Sequence, residues 1–159
     1  MKKKVLVTRK LLKENEEKLK ELFDVKLNIH DELYTSEKIL ELSKDCDGIL
    51  SAITDQINKD LIEKLSPTVK IIANFAVGFG NIDINAATKK NIVVTNTPEV
   101  LDDSTADISI LLLLGASRKV LEARRAAELQ NWKWAADFML GKQMSNKRLG
   151  ILGMGRIGR

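Results

Sequence analysis

Cysteine and histidine are almost missing from this chain: Cys46 and His30 are the single instances among 159 residues. One cysteine excludes an internal disulfide and every metal motif built from several thiolates. Cys46 is expected to be a small buried apolar residue at a helix-to-strand junction. His30, in "LNIHDELY", has no pattern of Cys, His or carboxylate around it that would make it a ligand, and it reads as a surface or loop residue. Aromatic residues make up only 4%, and the one basic cluster is Lys2-Lys3-Lys4 within a net charge of +4. A nucleic-acid binder concentrates its cations on one face and adds aromatics for stacking, so none is expected here. Long apolar runs are also lacking. The opening "MKKKVLVTRK" has too short an apolar stretch for a signal-peptide core, and the nine apolar residues of "ISILLLLGA" are too few to span a bilayer. A cytoplasmic protein with no membrane partner is expected.

What is present suffices for a globular core: 44% apolar and 30% charged residues. "KKVLVT" reads as a buried strand and "KLLKENEEKLKELF" as an amphipathic helix with leucines at 11, 12, 19 and 22. "DVKLNI" alternates as a second strand. "TSEKILELSKD" offers Thr35 and Ser36 as caps and sets Ile39, Leu40 and Leu42 on one side. "CDGILSAI" is a third strand. The helix "NKDLIEKLSPTV" is stopped by Ser66 and Pro67, because proline disfavours helical geometry just before it. "VKIIANFA", the helix "IDINAATKKN" with Asp83 as N-cap, and the strand "IVVTNT" complete the series. Strands alternating with helices predict a parallel sheet with helices on both faces, an α/β fold.

The character changes after Pro98, and a domain boundary is expected near Thr97 to Leu101. "VLDDSTADISILLLLGASRKVLEARRAAELQN" reads as two helical segments meeting near Gly115 to Arg118. Asp102, Asp103 and Ser104 place oxygen acceptors and negative charge at the first start. Ile108 to Leu114 is apolar all round and is expected to be buried, in a core or against another subunit. "QNWKWAADFMLGKQMSNK" reads as irregular. "KRLGILGMGRIGR" reads as a strand feeding a glycine turn, with Gly153, Gly155 and Gly158 in the pattern G-x-G-x-x-G. There the first glycine permits the tight turn, the second lets backbone approach a pyrophosphate, and the third allows close helix packing. Neither the following helix nor an acidic residue about twenty positions on lies within these residues.

"ANFAVGFGNIDINAATKKNIVVTNTPEVLDDSTADISILLLLGASRKV" together with "LGILGMGRIGR" resembles the D-isomer-specific 2-hydroxyacid dehydrogenases, above all their glyoxylate and hydroxypyruvate reductase branch. "AVGFGNID", "VTNTPEVL", "TAD", "NWKW" and "GMGRIGR" follow in the family's order, and the likeness runs from the first strand to the last residue. Gly80 stands where an acidic residue is common before "NID".

The resemblance implies an α/β protein with a flavodoxin-like, parallel-sheet substrate domain in residues 1–100 and the start of a Rossmann nucleotide domain in 101–159. It implies the N-terminal part of a longer enzyme, whose substrate domain is completed by a returning C-terminal segment. The reaction implied is hydride transfer from NAD or NADP to a small 2-keto acid, by a homodimer joined through its nucleotide domains. Carried over by motif, Val77 and Gly78 bind the substrate carboxylate through backbone amides, with Ala52 and Ile53 as the neighbouring pocket wall. Thr105, Gly153, Gly155, Arg156, Ile157 and Gly158 contact the cofactor. The family's catalytic arginine, acid and histidine lie beyond its glycine motif, so no catalytic residue is assigned, and the chain alone is expected to be inactive. Two alternatives stay open: another dehydrogenase of the family, such as one acting on phosphoglycerate, or a non-catalytic nucleotide-sensing or interaction module of the same fold.

Overall fold

Apolar alternation and well-placed caps build the first hundred residues into nine elements: β1 (Lys4–Val7), α1 (Lys13–Leu22), β2 (Asp24–Lys26), α2 (Ser36–Ser43), β3 (Gly48–Ala52), α3 (Lys59–Lys64), β4 (Ile71–Phe75), α4 (Ile84–Lys89) and β5 (Val93–Thr95). The computed structural model describes residues 1–130 and 132–159, which divide into the units Met1–Val100 and Leu101–Arg159. In the first unit all strand pairs are parallel and the order is β2-β1-β3-β4-β5. This is the doubly wound order in which the sheet reverses direction between β1 and β3.

Side chains of a strand alternate between faces, so the register decides which residues meet. Leu6 pairs with Ile49, Ile49 with Ile72 and Ile72 with Val94, making one apolar row across the sheet. That row packs with Ile39 of α2, Leu61 and Ile62 of α3 and Ala86 and Ala87 of α4 in a single core. Fully burying an Ile or Leu side chain contributes about 1.5–3 kcal/mol. The opposite row, Val7, Leu50, Ala73 and Thr95, has α1 beside it. Leu11, just before α1, and Leu19 and Leu22 of α1 face Leu50, Ala73 and Phe75 across a groove of about 350 Å3, and Phe75 stays 59% exposed.

The caps are local and explicit. Thr35 Oγ1 accepts from the Lys38 N–H at 3.3 Å, Asn58 Oδ1 from Leu61 at 3.0 Å and Asp83 Oδ1 from Ala86 at 2.9 Å. The Lys90 ammonium donates to the carbonyls of Ile62, Glu63 and Leu65 at 2.6–2.8 Å, closing the C-terminal end of α3. The strand expected over 24–29 ends at Lys26, because Asn28 turns the chain. Its side chain donates to the carbonyls of Thr8 and Glu32 and accepts from the Glu32 N–H. Cys46 is buried and His30 exposed, as expected, and burial pushes the Cys46 thiol pKa up.

The second unit contains α5 (Asp102–Ser117) and α6 (Val120–Glu128), with the junction at Arg118 and Lys119, close to the expected place. Asp102 and Asp103 lie in the first turn, but no side chain caps it: the Ser104 hydroxyl donates to the Leu101 carbonyl instead. One expectation fails here. "LGIL", 149–152, is not a strand, because a strand exists only through pairing and no other described residue of this unit forms one. The run Ile108 to Leu114 is exposed within this chain, with Ile108 at 54%, so of the two covers expected for it the described residues do not supply the intramolecular one. A helix apolar all round needs cover on every side, and the described residues of this unit supply no sheet to give it. Trp132 stacks on Phe138 with ring centroids 6.1 Å apart, whereas Asn131, which opens "NWKW", lies outside the described residues.

Candidate functional site

Three successive peptide groups follow β4, and each has its carbonyl held. The Ala76 carbonyl accepts from the Thr97 N–H at 2.9 Å, that of Val77 from Asn96 Nδ2 at 2.8 Å, and that of Gly78 from Asn74 Nδ2 at 3.0 Å. In a trans peptide the N–H points opposite to its carbonyl. Fixing the three carbonyls therefore aims the N–H groups of Val77, Gly78 and Phe79 the other way. None of the three donates to another described residue, and Gly78 and Phe79 are exposed. This set of successive N–H groups, free to donate outward, can offer hydrogen bonds to an anion. It lies beyond the carboxyl end of β4, the edge at which open parallel sheets take their ligands.

The neighbouring strand ends are tied to this loop by buried side chains. Asn74 and Asn81, 2% and 9% exposed, exchange amide hydrogen bonds, and Ser51 Oγ donates to Asn74 Oδ1 at 3.0 Å. Asn81 Nδ2 also donates to the carbonyls of Ala52 and Asp55. Asp55 in turn accepts from the Ala52 N–H at 2.8 Å and from the Thr8 hydroxyl. One polar chain thus links the ends of β1, β3 and β4 to the 76–80 loop. It brings Ala52 to the same rim as Val77 and Gly78, while Ile53, the next residue, is 52% exposed.

A second rim feature is Arg9, just past β1. Its guanidinium binds both carboxylate oxygens of Asp31 at 2.8 and 2.9 Å and reaches Thr54 Oγ1 at 2.8 Å. Hydrogen bonds from Arg9 and from the Lys10 N–H hold the Asp31 carboxyl well below the usual carboxylate range. Asp55, Asn74, Asn81, Asn96 and this Arg9 cluster were not singled out from the sequence. The available signal was Asn74 itself: a polar residue at the inward register position of "IIANFA" must find buried partners.

In the second unit two of the three motif glycines are required by the local backbone. Gly153 has φ +98°, where side chains are strained. A Cβ on Gly158 would lie 2.0 Å from the Gly153 carbonyl oxygen, whereas one on Gly155 would meet no atom within 4 Å. The turn folds under its third glycine and leaves open space around the second. Gly153, Ile157 and Gly158 line a cavity of about 620 Å3 with Ala106, Ser109 and Ile110 of α5; Thr105 stands one residue before that lining, and Gly155 and Arg156 lie outside it. The residues expected to bind substrate and those expected to bind cofactor thus fall in different units. Among the described residues no group of three or more His, Cys, Asp or Glu could hold a metal ion. No helix of the described residues is long and apolar enough to cross a membrane.

Known proteins share this arrangement of sequence and fold. A glyoxylate reductase of Korarchaeum cryptofilum is 44% identical over 99% of this chain and 48% of its own length, and one of Thermococcus litoralis is 38% identical over 99% and 49%. The chain therefore spans about half the length of the curated relatives it matches. Among solved structures, an NADPH-dependent glyoxylate/hydroxypyruvate reductase of Sinorhizobium meliloti, in complex with NADP and malonate, superposes with a TM-score of 0.79 at 29% identity, over 99% of this chain and 48% of that one. Residues 5–146 match the family described as D-isomer specific 2-hydroxyacid dehydrogenase, catalytic domain. With the parallel order β2-β1-β3-β4-β5 and the whole-length likeness, the chain belongs to the D-isomer specific 2-hydroxyacid dehydrogenases.

Proposed function

We propose that these residues form the substrate-binding side and the start of the cofactor-binding side of a cytoplasmic, NAD- or NADP-dependent reductase of small 2-keto acids, glyoxylate or hydroxypyruvate. The observation that carries this reading is the set of outward N–H groups at Val77, Gly78 and Phe79. A 2-keto acid offers a carboxylate beside the carbonyl to be reduced. Hydrogen bonds from N–H groups to a carboxylate are charge-assisted and roughly twice as strong as neutral ones. Val77 and Gly78 hold that carboxylate, with Ala52 and Ile53 as the pocket wall that limits the substrate's size. Residues 1–100 are the substrate domain, and 101–159 open the nucleotide domain. Gly153, Gly155, Arg156, Ile157 and Gly158 cradle the pyrophosphate, and Thr105 touches the cofactor nearby. When bound, the nicotinamide supplies the hydride. The exposed apolar helix α5 is the surface through which two copies join.

None of the residues present is assigned to proton transfer, so the 159-residue chain alone is proposed to be inactive. The test is oxidation of NADH or NADPH by the complete enzyme and by this chain alone. Glyoxylate, hydroxypyruvate and phosphohydroxypyruvate are each supplied as substrate. Turnover of the first two by the complete enzyme only is expected. Preference for the phosphorylated substrate would replace this reading with the phosphoglycerate one, and turnover by the isolated chain would overturn the claim of inactivity.

A further inference from the structure

We infer that Asn96, with Asn74 behind it, is a positioning residue that sets the affinity of this loop for its anionic substrate; the inference rests on the function proposed above. Neither asparagine needs to touch the substrate. Asn96 Nδ2 holds the Val77 carbonyl at 2.8 Å, and that carbonyl shares its peptide plane with the Gly78 N–H. Asn74 Nδ2 holds the Gly78 carbonyl at 3.0 Å, which fixes the plane carrying the Phe79 N–H. The third plane is pinned by a backbone bond, Thr97 N–H to the Ala76 carbonyl at 2.9 Å. The 76–80 stretch has glycine at 78 and 80, with open space around both, so its own packing does not restrain these planes. The restraint comes from the two side-chain amides.

Without them, each plane can rotate its carbonyl outward. An outward carbonyl presents negative partial charge to a carboxylate in place of a donor. Preorganised donors are worth most when they need no reorganisation on binding. The two tethers differ in their surroundings. Asn74 is nearly fully buried and shared with Ser51 and Asn81, so it also supports the fold. Asn96 is half-buried and its side chain makes only the Val77 bond among the described residues. It is therefore the clean probe.

The experiment is steady-state kinetics of the complete enzyme with Asn96→Ala and Asn96→Asp. Asn96→Asp keeps the size of the side chain and removes its donor. KM for glyoxylate is expected to rise about tenfold in Asn96→Ala, the order associated with losing a hydrogen bond to a charged group, and at least as much in Asn96→Asp. The KM for the dinucleotide should stay at the wild-type value and kcat within about twofold of it, as expected when an interaction made equally in ground and transition states is lost. Should Asn96→Ala fail to fold, Asn96→Asp reads the same quantity. A glyoxylate KM at the wild-type value in the folded variants would overturn the inference, as would a common fall in kcat, dinucleotide affinity and melting temperature. Absence of glyoxylate turnover in the wild type would instead remove the proposed function, and the inference with it.

Discussion

Asn81 shows what a single side chain does at the rim. Its amide bridges the end of β3, the turn at Asp55 and the inward face of β4, the last two bonds buried. Removing a buried partner leaves donors and acceptors unsatisfied, at about 1–3 kcal/mol for each such group. Asn81→Ala is therefore expected to destabilise the fold by about 2–3 kcal/mol, read from urea unfolding at constant m-value. The charged pairs act through pH. Hydrogen bonds from Lys26 and Lys4 hold the Asp45 carboxyl below its ordinary value, as Arg9 does for Asp31. A depressed carboxylate contributes stability that is complete above its unfolded pKa of about 4 and is lost as pH falls towards the folded value. Melting temperatures recorded from pH 6 down to pH 2 should fall more steeply in the wild type than in Asp45→Asn. Asn74 marks the limit of what could be read beforehand. Its strand was evident in "IIANFA", and its inward position followed from alternation. Its partners Ser51, Gly78 and Asn81 come from three other places along the chain, and side-chain amides carry no local signature that pairs them.

The elements of the first unit were legible because their ends are written locally. Asp83 and Thr35 cap the helices at the expected positions, and strand and helix alternate without exception. Lys90 is less obvious: it lies just beyond α4 yet closes α3, since a cation is stabilised by the carbonyls at a helix C-terminus. Lys90→Met, which keeps the length of the chain, should cost about 1–2 kcal/mol. Raising the salt concentration should narrow that difference only slightly, because the ammonium bonds carbonyls and not an exposed carboxylate. The second unit was less legible. "LGIL" has the composition of a buried strand, but composition expresses a preference for a pleated, half-buried surface rather than for the extended backbone itself. Without a sheet beside it, the same residues stay unpaired.

For the molecule as a whole, the two faces of the sheet are unequal. The face over α2, α3 and α4 is closed, whereas Ile71, Phe75 and Val93 on the other remain in water, and α5 exposes its leucines. All-parallel sheets ordinarily have both faces covered, and exposed apolar patches of this kind mark surfaces that associate. The 159-residue chain is expected to bind a hydrophobic dye under native conditions and to sediment with a concentration-dependent mass. Phe75→Ser should lower the dye signal.

Strand order also decides which end of this molecule can be altered. β1 comes first in the chain but lies between β2 and β3. Trimming the first seven residues would leave β2 with no neighbour and take away one of the two partners of β3. A terminus that looks disposable is the middle plank of the floor. Purification tags and fusion joints at the start must therefore leave Lys4 to Val7 whole, and any protease that nicks there would split the sheet rather than fray its edge.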